Sequence, residues 1–451
     1  MAILGLHVGV SFAEFSLLDS ASYKVIASQR IYMPRLPLKS GLQKFVHNYI
    51  SLNPTQHKIE KIFFVSNLLE KMAPFRLGGS TAHLITEGWE NQGWLSQTNS
   101  QATPPIRLPS VQSQDLVFGI KERLSSQGEI LQPIDEAFIA SIASKMKLMD
   151  VKRVCLHFLH SQKNPVHLNK AKNILIENGF EVHSAEYDSD FSLEKNRRLS
   201  LSAALNGTWE DYRADLMAAV ENAESTPEIF VLSRKGFQPL NESTDAVESM
   251  ASLDHLWSFL PYENIVYLGF ETFQQIFTKK NNQFWQSPWG RLYRPQCEKR
   301  VLGVQPTKSL QMNLWNELDF SAVTEGFEPG PLALGRGQKL TVFDLYFDQL
   351  QEFEELKDWL SPTAGSKIRS GLTALSKNSK NHIGEVALQT QLRDQFVQRL
   401  LFEIDSSQGP LHFFGFWNQL IGANLKGEKH KSSIAEIVAR VGLGVELEVK
   451  L

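Results

Sequence analysis

The stretch "AILGLHVGVSFAEFSLLDSASYKVIASQRIYM", residues 2–33, holds three apolar-rich runs separated by two short turns. Runs 2–10, 12–20 and 24–33 read as strand, turn, strand, turn, strand, so the chain is expected to open with three antiparallel strands. Working outward, residues 38–52 carry Leu42, Phe45, Val46, Tyr49 and Ile50 at helical spacing. Two strands are expected at 62–65 and 82–86, each ending in polar residues, with a short helix at 68–72 between them.

Residues 98–110 contain three prolines and read as a loop. From 133 onward the pattern alternates: helix over 135–149, strand over 151–159, helix over 165–179, strand from 180. Such alternation implies parallel pairing with right-handed crossovers. Further strands are expected in 228–237 and 264–277, and helices over 340–360 and 386–404. The polar run 370–385 reads as mobile.

The chain has 451 residues, 42% apolar and 21% charged, with a net charge of -3. That length suits two or three domains, and the charge gives no reason to expect nucleic acid or an anionic membrane as partner. No apolar run approaches the roughly 18 residues that would span a bilayer. The first residues carry no basic leader with a cleavage site. With only Cys155 and Cys297, the expectation is a cytoplasmic, disulfide-free protein in which Cys155, inside "VKRVCLHFL", is buried packing.

Several short motifs, in order, resemble those of the A subunit of the hydantoinase and 5-oxoprolinase family, with its acetone-carboxylase-like relatives. "GLHVGVSFAEFSLLD" is similar to the family's first phosphate loop, Asp-Val-Gly-Gly-Thr-Phe-Thr-Asp. "SNLLEK" and "AHLITEGWEN" resemble Thr-Asn-Ala-Leu-Leu-Glu and Thr-Thr-Glu-Gly-Phe. "FGIKERLSSQGEILQPIDEA" (118–137), "CLHFLHSQKNPVHLNKA" (155–171), "EPGPLALGRGQKLTVFDL" (328–345) and "GPLHFF" (409–414) continue the series. The resemblance implies an α/β, two-domain actin-like (ribonuclease H-like) ATPase fold, with mixed sheets flanked by helices. It divides the chain into an N-terminal-like domain, 1–203, and a shortened second domain, 204–451.

The phosphate loops depart from that pattern. Backbone N–H groups can approach a phosphate only where no Cβ intervenes, and the metal needs hard oxygen ligands. In the first loop the family's leading Asp is His7, its second Gly is Val10 and its closing Asp is Glu14, while Gly9, Ser11 and Phe12 stay compatible. The second loop is best matched by "LGFETFQQ", 268–275, which puts Phe270 on a glycine, Glu271 on a threonine and Gln274 on the aspartate. Loss of both carboxylates, at His7 and Gln274, together with the two lost glycines, at Val10 and Phe270, implies a chain without ATPase activity and without a cofactor. Such a chain would act by binding, to a hydantoinase B-like subunit or to a copy of itself. The other reading is an active ATP-dependent hydrolase of cyclic amides using Mg·ATP. Under it, Gly9, Ser11, Phe12, Gly269 and Thr272 would lie at the phosphates.

Other candidates come with plainer explanations. Glu87, Glu194, Arg198 and Arg336 could line a substrate cleft, although Glu194 and Arg198 also suit the solvated face of a capped helix. His160 and His167, with Asp188, could hold a metal, but loop histidines orienting the Asn164-Pro165 turn explain them more simply. Trp285 and Trp289 could anchor a protein partner or pack beneath a loop, and the basic run 424–433 reads as a solvated face. Gly335 and Gly337 flank Arg336 in an expected tight turn.

Overall fold

The computed structural model describes residues 2–9, 12–32, 59–66, 81–91, 113–184, 193–220, 227–233, 236–242, 249, 252–270, 272–278, 298–306, 308–312, 318–319, 331–378 and 383–444. The expected helices at 38–52 and 68–72, the loop at 98–110, Asp188, Trp285 and Trp289 lie outside the described residues.

The three opening runs form β1 (Ala2–Val8), β2 (Phe12–Asp19) and β3 (Val25–Tyr32), paired antiparallel in sequence order. β4 (Ile59–Ser66) joins the other edge of β1 in parallel. β1 and β2 are buried along nearly their whole length, the polar His7, Glu14 and Ser16 included.

An inserted parallel sheet follows, ordered β6-β5-β9-β10, from β5 (Thr81–Thr86), β6 (Val117–Ile120), β9 (Arg153–His157) and β10 (Glu181–Ser184). The small hairpin β7 (Arg123–Leu124) and β8 (Ile130–Gln132) projects from it. Helices α1 (Glu136–Leu148) and α2 (Val166–Glu177) cover one face, over Ala82, Leu84, Val154 and Leu156. Helix α3 (Leu193–Val220) lies against β5, β9 and β10. Asp135 caps α1 by accepting a hydrogen bond from Phe138 N at 2.9 Å.

The chain then returns to the first sheet. β11 (Glu228–Ser233) adds in parallel to β4, and β12 (Gly236–Pro239) folds back on it. The division at 203/204 expected from the sequence falls inside α3, and the first sheet takes two strands from beyond it.

A second sheet repeats the first. β13 (Asn264–Leu268), β14 (Phe273–Phe277) and β15 (Glu298–Val301) are antiparallel neighbours, and β18 (Leu411–Phe414) and β19 (Glu428–Lys429) extend it in parallel from β13. Five strands of each sheet therefore run third, second, first, fourth, fifth. This doubled ribonuclease H-like order is the actin-like ATPase fold. A minor pair, β16 (Gln311–Met312) and β17 (Leu318–Asp319), stands apart.

Helix α4 (Ser252–Leu256) packs under β4 and β11. The last described helix, α8 (Ile434–Leu443), crosses back onto β1, β2 and β4. Ser433 caps its start and Gly444, at φ 67°, ends it. Its approach to β1 is close enough that a Cβ on Gly5 would overlap the Ala435 carbonyl.

Two expectations are corrected. Residues 340–360 form three short turns, α5 (Val342–Leu345), Phe347–Leu350 and Glu354–Lys357, and not one helix. Phe347, Phe353 and Trp359 all pack on the same core cluster, whereas in a straight helix residues six apart point to three different sides. The run 370–385, read as mobile, mostly belongs to α6 (Ala364–Asn378), whose Ile368, Leu372 and Leu375 form a stripe against that core, ahead of α7 (Glu385–Glu403).

Candidate functional site

The two hairpins are closed by equivalent hydrogen bonds. Gly9 N donates to the Phe12 carbonyl at 2.8 Å, and Gly269 N donates to the Thr272 carbonyl at 3.0 Å. Their registers also match, with His7 opposite Glu14 in the first and Tyr267 opposite Gln274 in the second. Glu14 and Gln274 thus occupy equivalent buried positions.

The ends of the flanking parallel strands support the turns. Ser66 Oγ donates to the Val8 carbonyl at 3.0 Å and Ser66 N donates to Ser252 Oγ at 2.7 Å. In the second half, Trp417 N donates to the Leu268 carbonyl at 3.1 Å, after a Gly415 held at φ 107°. A Cβ on Gly415 would strike the Leu268 and Gly269 backbone, so glycine is required by space as well as by φ.

Aromatic rings fill the space between the turns. Phe12 and Phe270 have centroids 3.8 Å apart, and Phe270 also lies 4.8 Å from both Phe343 and Phe416. Trp359 is 5.5 Å from Phe12. The Arg30 guanidinium sits over Phe416 at 4.9 Å. Phe12 and Phe270 are only 5% and 6% exposed, so both rings are buried where the hairpins meet.

Arg30 also faces Glu14 across β2 and β3, with Nε 2.8 Å from Oε1. Ile434 N donates to Glu14 Oε2 at 3.2 Å, and His7 Nδ1 lies 3.9 Å from the same oxygen. Burial alone would raise the Glu14 pKa, but the Arg30 guanidinium, through its charge and its hydrogen bond, and the neighbouring His7 outweigh it and hold it at about 2. Glu14 is therefore an anion whose described contacts are a cation, an imidazole and a helix N-terminus. Gln274, its counterpart, is neutral, and its buried Oε1 has no hydrogen-bond partner among the described residues.

A second polar group lies in the inserted sheet. Thr86 Oγ1 donates to Glu122 Oε1, Leu159 N donates to Thr86 Oγ1 at 2.9 Å, and His167 Nδ1 is 2.8 Å from Glu122 Oε2. All three side chains are buried. This network ties the ends of β5 and β6 to the first turn of α2, the "NPVH" segment.

The remaining sequence candidates are dispersed. Glu87 is in the exposed turn after β5. His160 occupies a left-handed turn at φ 57°, and His167 is engaged with Glu122; neither belongs to a metal-capable group among the described residues. Glu194 and Arg198 start α3, with their side chains outside the described residues. Arg336 sits in a turn with Gly335 and Gly337 at φ 71° and 67°. Val10, Ser11 and Glu271 lie outside the described residues.

Residues 47–179 match the hydantoinase/oxoprolinase N-terminal region. The chain resembles that family. It is 27% identical over 123 residues to an uncharacterized protein of Methanocaldococcus jannaschii, a match covering 26% of this chain and 18% of that protein. It is 23% identical over 175 residues to the acetophenone carboxylase gamma subunit of Aromatoleum aromaticum, covering 33% of this chain and 24% of that subunit. The matches thus span under a quarter of these relatives' own length.

Among solved structures, nucleotide-free acetone carboxylase superposes with a TM-score of 0.70 at 13% identity, covering 99% of this chain and 71% of that one. The ATP-dependent caprolactamase of Pseudomonas jessenii gives 0.65 at 16% identity, covering 98% and 70%. At these identities the likeness establishes the fold, which agrees with the doubled strand order. Among the described residues no helix is long and apolar enough to cross a membrane.

Sequence reading missed Arg30, Thr86, Glu122 and the buried His83, and saw His157 only as one of a run of histidines with His160, His167 and His183. Glu122 lies within the quoted "FGIKERL" and Thr86 within "AHLITEGWEN", so motif position was an available signal for both.

Proposed function

We propose that this chain is a hydantoinase/oxoprolinase-like protein that has kept the actin-like scaffold, hydrolyses no ATP and works as a binding or scaffold subunit. The observation carrying this reading is the Phe12–Phe270 contact at 3.8 Å between the two hairpin turns. A triphosphate at that cleft needs backbone N–H donors and a metal held by oxygen ligands. Here the position offers tilted apolar rings in contact, an arginine committed to Glu14, and an amide at Gln274 in place of a second carboxylate. One relative is by name a gamma subunit, and the same kind of role beside a second protein is proposed for this chain.

The test is a thermal-shift and calorimetric titration of the full chain with Mg·ATP. A ligand that binds only the native state raises Tm as its concentration exceeds Kd. No shift and no heat at millimolar nucleotide is the expected result. Saturable binding with phosphate release would instead establish an ATP-dependent hydrolase and overturn the reading.

A further inference from the structure

β5 and β9 present opposite chemistries on their two faces. Side chains alternate along a strand, so Ala82, Leu84, Val154 and Leu156 turn toward α1 and α2, while His83, Cys155 and His157 turn the other way, toward α3. The pairing register sets His83 beside Cys155 and Ile85 beside His157. One imidazole, one thiol and a second imidazole therefore gather on a single buried face contributed by two adjacent strands.

The side chains converge. His83 Nδ1 and His157 Nε2 are 3.1 Å apart, and one ligand atom from each of the three residues lies within 4.8 Å of the others. Their rings are stacked at 5.4 Å. Ser200, from α3, places its Oγ 3.5 Å from His157 Nε2, and the Leu199 carbonyl is 4.0 Å from Cys155 Sγ. His83, Cys155, His157 and Ser200 are all buried.

We propose that His83, Cys155 and His157 form a structural metal site for a d10 transition-metal ion, Zn2+ or Cu+, that fastens β5 and β9 beneath α3. Two ligands bonded to zinc at about 2.0–2.1 Å in a tetrahedron sit about 3.4 Å apart, close to the imidazole spacing here. Imidazole with thiolate is the donor set that such borderline-to-soft ions take, whereas Mg2+ and Ca2+ take oxygen. Ser200 Oγ is placed to complete a fourth position for Zn2+, while Cu+ with one thiolate makes a neutral three-coordinate site, a fit to a buried layer. Burial, with His157 beside it, holds His83 well below the ordinary imidazole range, so the ring is neutral; metal binding would replace the His83–His157 hydrogen bond, the donor ring then carrying its proton on the other nitrogen. Burial raises Cys155, which is a thiol when no cation is bound. On metal binding the S–H bond breaks, its proton leaves to solvent and the sulfur lone pair goes to the ion.

The site is separate from the aromatic-filled cleft and from Thr86, Glu122 and His167. It is also unlike the cluster of His412, Glu428 and His430, which holds a carboxylate, 3.1 Å from His412, and no thiol.

The experiment uses the full chain. Metal analysis of protein from zinc- and copper-supplemented cells is expected to give about one equivalent of Zn2+ or Cu+, and separate titrations of stripped protein with each ion identify which. Co2+ substitution should produce a near-ultraviolet thiolate charge-transfer band. Only two cysteines exist, so the band should persist in Cys297→Ala and vanish in Cys155→Ser. His83→Gln should weaken binding by more than about 100-fold, beyond what loss of an outer partner costs. If Cys155→Ser does not fold, release of one metal equivalent from unaltered protein by a mercurial reads the same bond. Stripped protein that takes up neither ion, or a charge-transfer band retained without Cys155, overturns the proposal.

Discussion

The two hairpins are built to one plan and filled differently. Every residue pair of β13–β14 has a counterpart in β1–β2 at a constant offset of 260 in the numbering, as His7↔Glu14 and Tyr267↔Gln274 show. The first hairpin holds a buried anion and stabilises it with Arg30. The second holds a neutral amide and supplies the ring that crosses the gap to the first. The lesson is that strand order and register can survive while the chemistry at equivalent positions separates.

The largest expected effect comes from breaking the charged half. Arg30→Leu leaves Glu14 buried and uncompensated, and should cost roughly 3–5 kcal/mol in denaturant unfolding. Adding Glu14→Gln makes the first hairpin resemble the second and should recover most of that loss. A double mutant no more stable than the single would show that Arg30 acts through packing on Phe416 instead.

Removing the shared ring comes next. Phe270→Ala should destabilise the chain by about 3–4 kcal/mol, from lost burial and the cavity left behind. It should still bind no Mg·ATP, because Gln274 continues to lack a carboxylate. Nucleotide binding gained by this one change would mean that the ring alone closes the cleft.

Acid should separate the halves too. Glu14 has its folded pKa lowered from 4.5 to about 2. Its contribution is therefore present above 4.5 and is lost as pH falls toward 2, by roughly 3 kcal/mol in total. Unfolding curves between pH 2 and 5 should show this slope in the unmodified chain, and Glu14→Gln should flatten it. Equal slopes in both would assign the acid loss to other carboxylates.

The smallest effect tests the neutral half. Gln274→Leu removes a buried amide whose Oε1 has no described partner, and should change stability by less than about 1 kcal/mol. Glu14→Leu, at the equivalent position, strands Arg30 and should cost several times more. Equal costs at the two sites would end the contrast drawn between the hairpins.

Much of the strand order was legible in the sequence. The runs at 2–33 pair as their apolar pattern and turns require, and the motifs marked both hairpin turns. Arg30 was hidden by a register shift between Leu17 and Leu18: without that irregularity in the β2–β3 pair, counting back from the turn would not set it opposite Glu14. Thr86, Glu122 and His167 were invisible as a unit because they come from three elements and meet only when β5, β6 and α2 assemble.

The sequence by itself determined which residues alternate, where the turns fall, and which phosphate-loop positions carry His7, Glu14, Phe270 and Gln274. Those are local properties of a chain whose side chains alternate or rotate with fixed periods. The tertiary structure decided what those residues meet: the fit of Phe270 against Phe12, the pairing of Arg30 with Glu14, and the gathering of His83, Cys155 and His157. Each of these depends on packing two sheets, or two strands far apart in the chain, at ångström separations, and burial then sets the energetic weight of every charge and ring among them.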